Sequence, residues 1–267
     1  MLLPMDPRPI GIFDSGIGGL SVVRRIRLMA PDEHLLYFAD TAYFPYGPRP
    51  AAEVRKRAFA VVKRLLAAEV KLVVVACNTA SAAAIADLRE AFDVPFVGMV
   101  PGLKPAALAS KSGRVAILAT PGTLDGALYA RVVEDFGTRA RIANVPGTGL
   151  AEIVEAGEAG TSRARQAVRE ALGAEVAAGA DTVVLGCTHY HFLAADIRAE
   201  FPAVSIVDTS DAVARRTLQV LADSSLEAPD GQHGSLSLIV SGDADRFRAA
   251  MTSAGFGPAP ALTGAPA

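Results

Sequence analysis

The sequence predicts an α/β fold of two related lobes on mostly parallel sheets, with the active site in the cleft between them. Three observations carry this expectation. Short apolar runs take turns along the chain with amphipathic helical stretches, the pattern of strand–helix–strand units. One long stretch resembles another further along. The two cysteines, the only ones among 267 residues, fall at the same place in the two copies.

The strands read in order as "PIGIF", "HLLYFA", "LVVVA", "FVGMV", "RVAILA", "TVVLG", "VSIVD" and "SLSLIV". They are apolar without alternation, as strands buried on both faces are. Between them, "AAEVRKRAFAVVKRLLAAEV" and "SRARQAVREALGAEVAAG" place apolar residues at helical spacing with charges opposite. The Pro-, Gly- and Ala-rich stretch 256–267 reads as a loose tail.

The repeat aligns "LVVVACNTASAAAIADLREAFDVPFVGMV" with "TVVLGCTHYHFLAADIRAEFPAVSIVD". Cys77 falls on Cys187, Asp87 and Arg89 on Asp196 and Arg198, and Phe92 on Phe201. Upstream, "IGIFDSGIGG" resembles "VAILATPGT", with Ser15 opposite Thr120. The predicted lobes are 1–98 with 210–255, and 99–209.

Each cysteine thus ends a strand and precedes a helix, on the sheet edge where open α/β folds bind ligands. Free N–H groups and the helix dipole there favour thiolate, so the sequence predicts cysteines that ionise below the ordinary thiol range. Two thiols facing one ligand from opposite sides can invert a carbon centre, one removing a proton and the other delivering one.

Composition narrows the alternatives. A net charge of −2 with interspersed signs gives no field for nucleic acid, and no apolar run reaches the length of a membrane span. "MLLPMDPRPIGIF" lacks the basic start and unbroken apolar stretch of a signal peptide, so the chain reads as cytoplasmic with free thiols. "GIGGLS" partly matches a dinucleotide-binding turn, with Ser21 in the third glycine's place and Asp40 downstream. Cys77, Cys187, His189 and Asp14 supply metal-ligand types without metal-site spacing. His34 and His233 read as surface residues without partners.

The motifs "IGIFDSGIGGLSVV", "DTAYFPYGPR", "ACNTASA", "LATPGTLDGALY" and "GCTHYHFL" resemble, in order and nearly in form, those of the glutamate racemases, cofactor-independent enzymes that make D-glutamate for bacterial peptidoglycan. The resemblance implies two lobes around one site, glutamate as substrate, no cofactor and no metal, and it allows a homodimer. It makes Cys77 and Cys187 the acid/base pair, the first serving the D- and the second the L-enantiomer. Asp14 is implied to assist Cys77, and His189 to assist Cys187. Glu155 in "LAEIVEAGE" resembles the family's second-lobe glutamate, with Glu152 as the alternative. Substrate contacts are implied for Asp14, Ser15, Pro45, Tyr46, Gly47, Asn78, Thr79, Thr123, Thr188 and His189, with Thr120 added.

Residue by residue, plainer readings stand beside these. Asp14 and Ser15 suit a helix cap, "PYGPR" a turn, and the two glutamates a solvated helix face. A racemase for aspartate or another amino acid is the nearest rival function. His191 stands where the family usually has proline after "GCTHY", which puts the rigidity of the turn behind Cys187 in question.

Overall fold

The apolar runs become the central strands of two parallel sheets. The structure, a computed structural model, describes residues 5–257 and 262–264. Strands β1 (Ile10–Asp14), β2 (Leu35–Ala39), β3 (Leu72–Val75), β4 (Phe96–Val97), β9 (Leu236–Val240) and β10 (Leu262–Gly264) form one sheet, in the order β10-β9-β2-β1-β3-β4. Strands β5 (Arg114–Ala119), β6 (Arg141–Pro146), β7 (Thr182–Gly186) and β8 (Ser205–Val207) form the other, in the order β6-β5-β7-β8.

The repeat is visible in these orders. β2-β1-β3-β4 and β6-β5-β7-β8 are the same arrangement, so β1 corresponds to β5 and β3 to β7. Registers agree as well: Phe13 pairs with Val75 at the end of β1 and β3, and Ala119 with Gly186 at the end of β5 and β7. The carboxyl ends of all four strands therefore lie where the two cysteines follow.

The helices are α1 (Leu20–Met29), α2 (Ala51–Ala67), α3 (Asn78–Ala91), α4 (Leu103–Ala109), α5 (Pro121–Leu124), α6 (Ala127–Phe136), α7 (Leu150–Glu155), α8 (Ser162–Ala177), α9 (Ala194–Glu200), α10 (Ser210–Asp223) and α11 (Ala244–Ser253). Helical spacing of apolar residues sets their inward faces: α2 buries Val54, Ala58, Val61, Val62 and Leu65, and α8 buries Ala164, Val168 and Leu172. Alternate residues of β1 serve the two sides of its sheet. Ile10 and Ile12 join a core that continues through Leu150, Val154 and Leu185 into the second lobe, whereas Phe13 packs with Val61 and Val75 under α2 and α3. The lobes are thus joined by a shared apolar core on one side and divided by a cleft on the other.

Two strands depart from the sequence reading. β6 was not expected: it is a sheet edge on which only Val145 is well buried, and it carries no apolar run. The tail expected to be loose contributes β10, which pairs in parallel with β9 (Leu262 with Leu238) and satisfies an otherwise open sheet edge. Residues 258–261 and 265–267 of that tail lie outside the described residues. Among the described residues no helix is long and apolar enough to cross a membrane.

Candidate active site

Each functional side chain is placed by the end of a strand. β1 ends in Asp14, fully buried, and the chain then turns through Ser15–Gly19 into α1. Asp14 Oδ1 accepts the Ser15 N–H at 2.7 Å, and Oδ2 accepts the Gly19 N–H at 2.6 Å. The Thr188 hydroxyl reaches across from the other lobe to donate to Oδ2 at 3.1 Å. With donors on both oxygens, Asp14 is a carboxylate whose ionisation burial pushes upward, against the His189 charge and the hydrogen bonds from Ser15, Cys77 and Thr188.

Cys77 follows β3 and caps α3, its Sγ accepting the Ala80 N–H at 3.5 Å. That contact favours thiolate, but it is outweighed. Burial, reinforced by the Asp14 charge, drives the Cys77 thiol well above its usual range. The expectation of an easily ionised sulfur is corrected here: the helix end is present, yet the thiol is desolvated and donates its proton toward a carboxylate.

Cys187 follows β7 and opens a short 3₁₀ turn, Thr188–Leu193. Its Sγ lies 3.9 Å from Nδ1 of His189, and Nε2 of His189 lies 2.7 Å from Oε1 of Glu155. Burial opposes a charge on His189, but the hydrogen bonds to Cys187 and Glu155 and the field of Asp14 prevail, holding the imidazole well above its usual range. A cation therefore stands beside the Cys187 sulfur.

Glu155 Oε1 also accepts the Ile17 N–H of the first lobe at 2.6 Å. This explains the glycines of "DSGIGG". A Cβ on Gly16 would lie 1.8 Å from Glu155 Oε1, and one on Gly18 2.5 Å from His189 Nδ1 and Thr188 Oγ1. The N–H groups that a pyrophosphate would need are given to Asp14 and Glu155, so this turn is an interlobe seam and not a dinucleotide site. Among the described residues, no three His, Cys, Asp or Glu side chains converge as metal ligands.

Both cysteines line one cleft with about 560 Å³ of atom-free space. Ser15, Pro45, Tyr46, Gly47, Asn78, Thr79, Thr120, Thr188 and His189 line it as well. Three expected residues do not. Asp14 lies behind Ser15, Thr123 behind Thr120, and Glu155 behind His189, each one hydrogen bond removed from the cleft. Glu155, expected among the catalytic groups, is a positioning residue by this geometry. The alternative, Glu152, does line the cleft.

The lining is rich in neutral donors. The Thr79 hydroxyl lies 2.8 Å from that of Thr120, which lies 2.9 Å from that of Thr123, a chain of hydroxyls crossing from one lobe to the other. Asn78 is buried with neither its Oδ1 nor its Nδ2 partnered, an arrangement that costs stability unless a ligand completes it. Tyr46 is fixed from behind, its hydroxyl donating to Asp40 at 2.5 Å while Arg57 Nη2 reaches the same carboxylate at 2.7 Å.

The loop Gly147–Gly149, Tyr190 and Phe44 also line the cleft without having been expected there. The Phe44 ring lies 5.4 Å from the His189 ring, and the Tyr190 hydroxyl donates to Gly147 O at 2.7 Å. The repeat held the signal for the loop: it follows β6 as the Pro45–Gly47 loop follows β2. At His191 the structure replaces a rigid ring by a side-chain clasp, Nδ1 bonding to Asp208 Oδ2 where the chain leaves β8. His34, expected to lack a partner, accepts the Ser235 N–H at 3.0 Å.

Duplicated parallel sheets, strand-end cysteines on both sides and an interlobe cleft between them define a two-lobed α/β enzyme. The chain belongs to the Asp/Glu/Hydantoin racemase family, whose match covers residues 10–217. The glutamate racemase of Deinococcus radiodurans is 45% identical over 251 residues, 93% of this chain and 87% of the relative. Among solved structures, glutamate racemase from Francisella tularensis in complex with D-glutamate superposes with a TM-score of 0.85 at 27% identity, covering 97% of this chain and 98% of that one. Escherichia coli glutamate racemase in complex with L-glutamate and the activator UDP-MurNAc-ala gives 0.82 at 35% identity, covering 94% and 96%.

Proposed function

We propose that the chain is a glutamate racemase that inverts Cα with two thiols and supplies D-glutamate for peptidoglycan. The observation that carries the reading is the pair of cysteines after matching strands, both open to one cleft, each with its own proton-handling partner. Relatives crystallised with D- and with L-glutamate support the substrate. The two sheets favour lobes of about 1–98 with 210–255, and 99–209.

Starting from L-glutamate, the Cys187 thiolate, beside cationic His189, takes the Cα proton. The C–H electron pair moves into the α-carboxylate, giving an enolate-like dianion. Cys77 S–H then delivers its proton to the opposite face, and D-glutamate results with Cys187 protonated and Cys77 as thiolate. From D-glutamate the roles exchange. Desolvation makes the Cys77 thiolate the stronger base, which suits the weak acidity of Cα–H. Asn78, Thr79 and Thr120 supply neutral donors for the two carboxylates, and donors aimed at the α-carboxylate stabilise the charge that develops there. The chemistry asks only for reduced thiols and fits the reducing cytoplasm.

The test is racemisation in heavy water. Each thiol carries one proton, so early product carries deuterium at Cα while remaining substrate stays protiated, from either enantiomer. Lack of interconversion removes the function, and equal early labelling of both pools removes the two-thiol mechanism. Aspartate, one methylene shorter, leaves one set of donors unpaired and is turned over at least about tenfold less efficiently.

A further inference from the structure

A cleft proposed to take an acidic amino acid carries an acidic side chain of its own. Glu152, in the first turn of α7, is exposed and lines the cleft. Glu155, three residues on, is committed to His189 and the Ile17 N–H. The Glu152 carboxylate has no hydrogen-bond or ion-pair partner among the described residues. Its charge is felt inside the site, where it adds to burial and to Cys187 in pushing the Tyr190 phenol upward.

The other carboxylates of the site are committed to partners within the protein. Among the described residues that line the cleft there is no Lys or Arg. The cation of His189 is matched by Glu155, and the Asp14 oxygens are occupied by Ser15, Gly19 and Thr188. Hydroxyls and the Asn78 amide bind carboxylates without regard to what else the ligand carries. An uncompensated carboxylate does not: at neutral pH it meets glutamate, with net charge −1, less unfavourably than a five-carbon dicarboxylate of charge −2 that has no ammonium group.

We infer that Glu152 is a specificity residue whose charge excludes dicarboxylates lacking an α-ammonium group, so that the cleft selects the amino acid over acids of the same length. This rests on the reading of the cleft as a glutamate site. Unit charges several ångströms apart in a partly wet cleft interact enough to change binding about three- to tenfold.

The probe is glutarate, titrated calorimetrically into the wild type and Glu152→Gln at low and high salt, beside the KM for glutamate. Glutarate is expected to bind about three- to tenfold more tightly to the variant, while the KM for glutamate falls by a smaller factor. Added salt should tighten glutarate binding to the wild type and leave the variant nearly unchanged. Unchanged or weaker glutarate binding by the variant overturns the inference, as does an equal gain for glutamate. Failure of the variant to bind glutarate also overturns it, while the KM for glutamate tests the substrate reading separately. Glutarate binding that responds as described, without racemisation, retains Glu152 and removes only the proposed activity.

Discussion

Glu155→Gln isolates the charge behind the second cysteine. The wild-type oxygen Oε1 accepts from both His189 Nε2, at 2.7 Å, and the Ile17 N–H, at 2.6 Å. A glutamine carbonyl in the same place accepts both, so shape and hydrogen-bond count survive and the negative charge does not. A charge-assisted hydrogen bond contributes about 1.5–3 kcal/mol, against about 1 kcal/mol for a neutral one. The difference of about 0.5–2 kcal/mol lowers the His189 pKa toward its ordinary value. Where His189 loses its proton, nothing cationic remains 3.9 Å from the Cys187 sulfur. The expected result is a kcat loss of about two- to thirtyfold at pH 8 that shrinks toward pH 6.5, read from initial rates by circular dichroism. Stability follows the same sign. A histidine held above its unfolded value of about 6.5 contributes fully below that pH, and the contribution fades as pH rises through the folded value. The variant should therefore lose most melting temperature in acid. An unchanged pH profile would refute the reasoning, and so would a loss of equal size at every pH, which would mark a structural role.

Cys77→Ala and Cys187→Ala should each abolish racemisation while costing only about 1 kcal/mol of stability, as measured by denaturant unfolding; measurable racemisation by either folded variant contradicts the assignment. Because enantiomers have equal free energies, kcat/KM for D- and L-glutamate must superpose at every pH, and its alkaline limb should lie above the ordinary thiol range because Cys77 is raised. Asp14→Asn removes a charge that holds Cys77 up, so that limb should move to lower pH. Gly16→Ala places a methyl group 1.8 Å from Glu155 Oε1 and should cost about 1–3 kcal/mol along with most of kcat, whereas Gly173→Ala, with no atom within 4 Å, should cost nothing.

What was legible in the sequence was whatever burial dictates locally. β1, β3, β5 and β7 are buried on both faces, so their unbroken apolar runs announce them. β6 and β10 are edges of their sheets, and β6 carries Arg141 and Asn144 where an apolar run would have betrayed it. The site divides along the same line. Strand-end residues such as Cys77 and Cys187 were placed by the strands before them. Glu152 and Glu155, three apart on one short helix, differ only in which neighbour packs over them, and that is decided by the approach of the Ser15–Gly19 turn from the other lobe. The ionisation of Cys77 was misjudged for a related reason. A helix end is visible in sequence, but desolvation and the approach of Asp14 belong to the assembled cleft.

The duplication also explains why the copies had to diverge. Two identical lobes would give two sulfurs of equal proton affinity, and the single proton that the proposed mechanism leaves between them would have no preferred seat. The described lobes break that equality with different neighbours at equivalent strand ends. Cys77 has a buried carboxylate beside it whose charge raises the thiol; Cys187 has an imidazole, 3.9 Å from its sulfur, that Glu155 helps to keep cationic. In the two-thiol mechanism proposed above, L-glutamate meets its proton donor on the Cys77 face and its acceptor on the Cys187 face. In that mechanism turnover of D-glutamate starts from the opposite proton distribution, whose free energy differs by whatever the two environments impose. Equal values of kcat/KM in the two directions then require any such difference to change kcat and KM by the same factor between the enantiomers. The interlobe contacts that set the asymmetry, Glu155 to Ile17 and Thr188 to Asp14, are the same ones that hold the cleft together, so alignment of the lobes and the seat of the proton are one property of this fold.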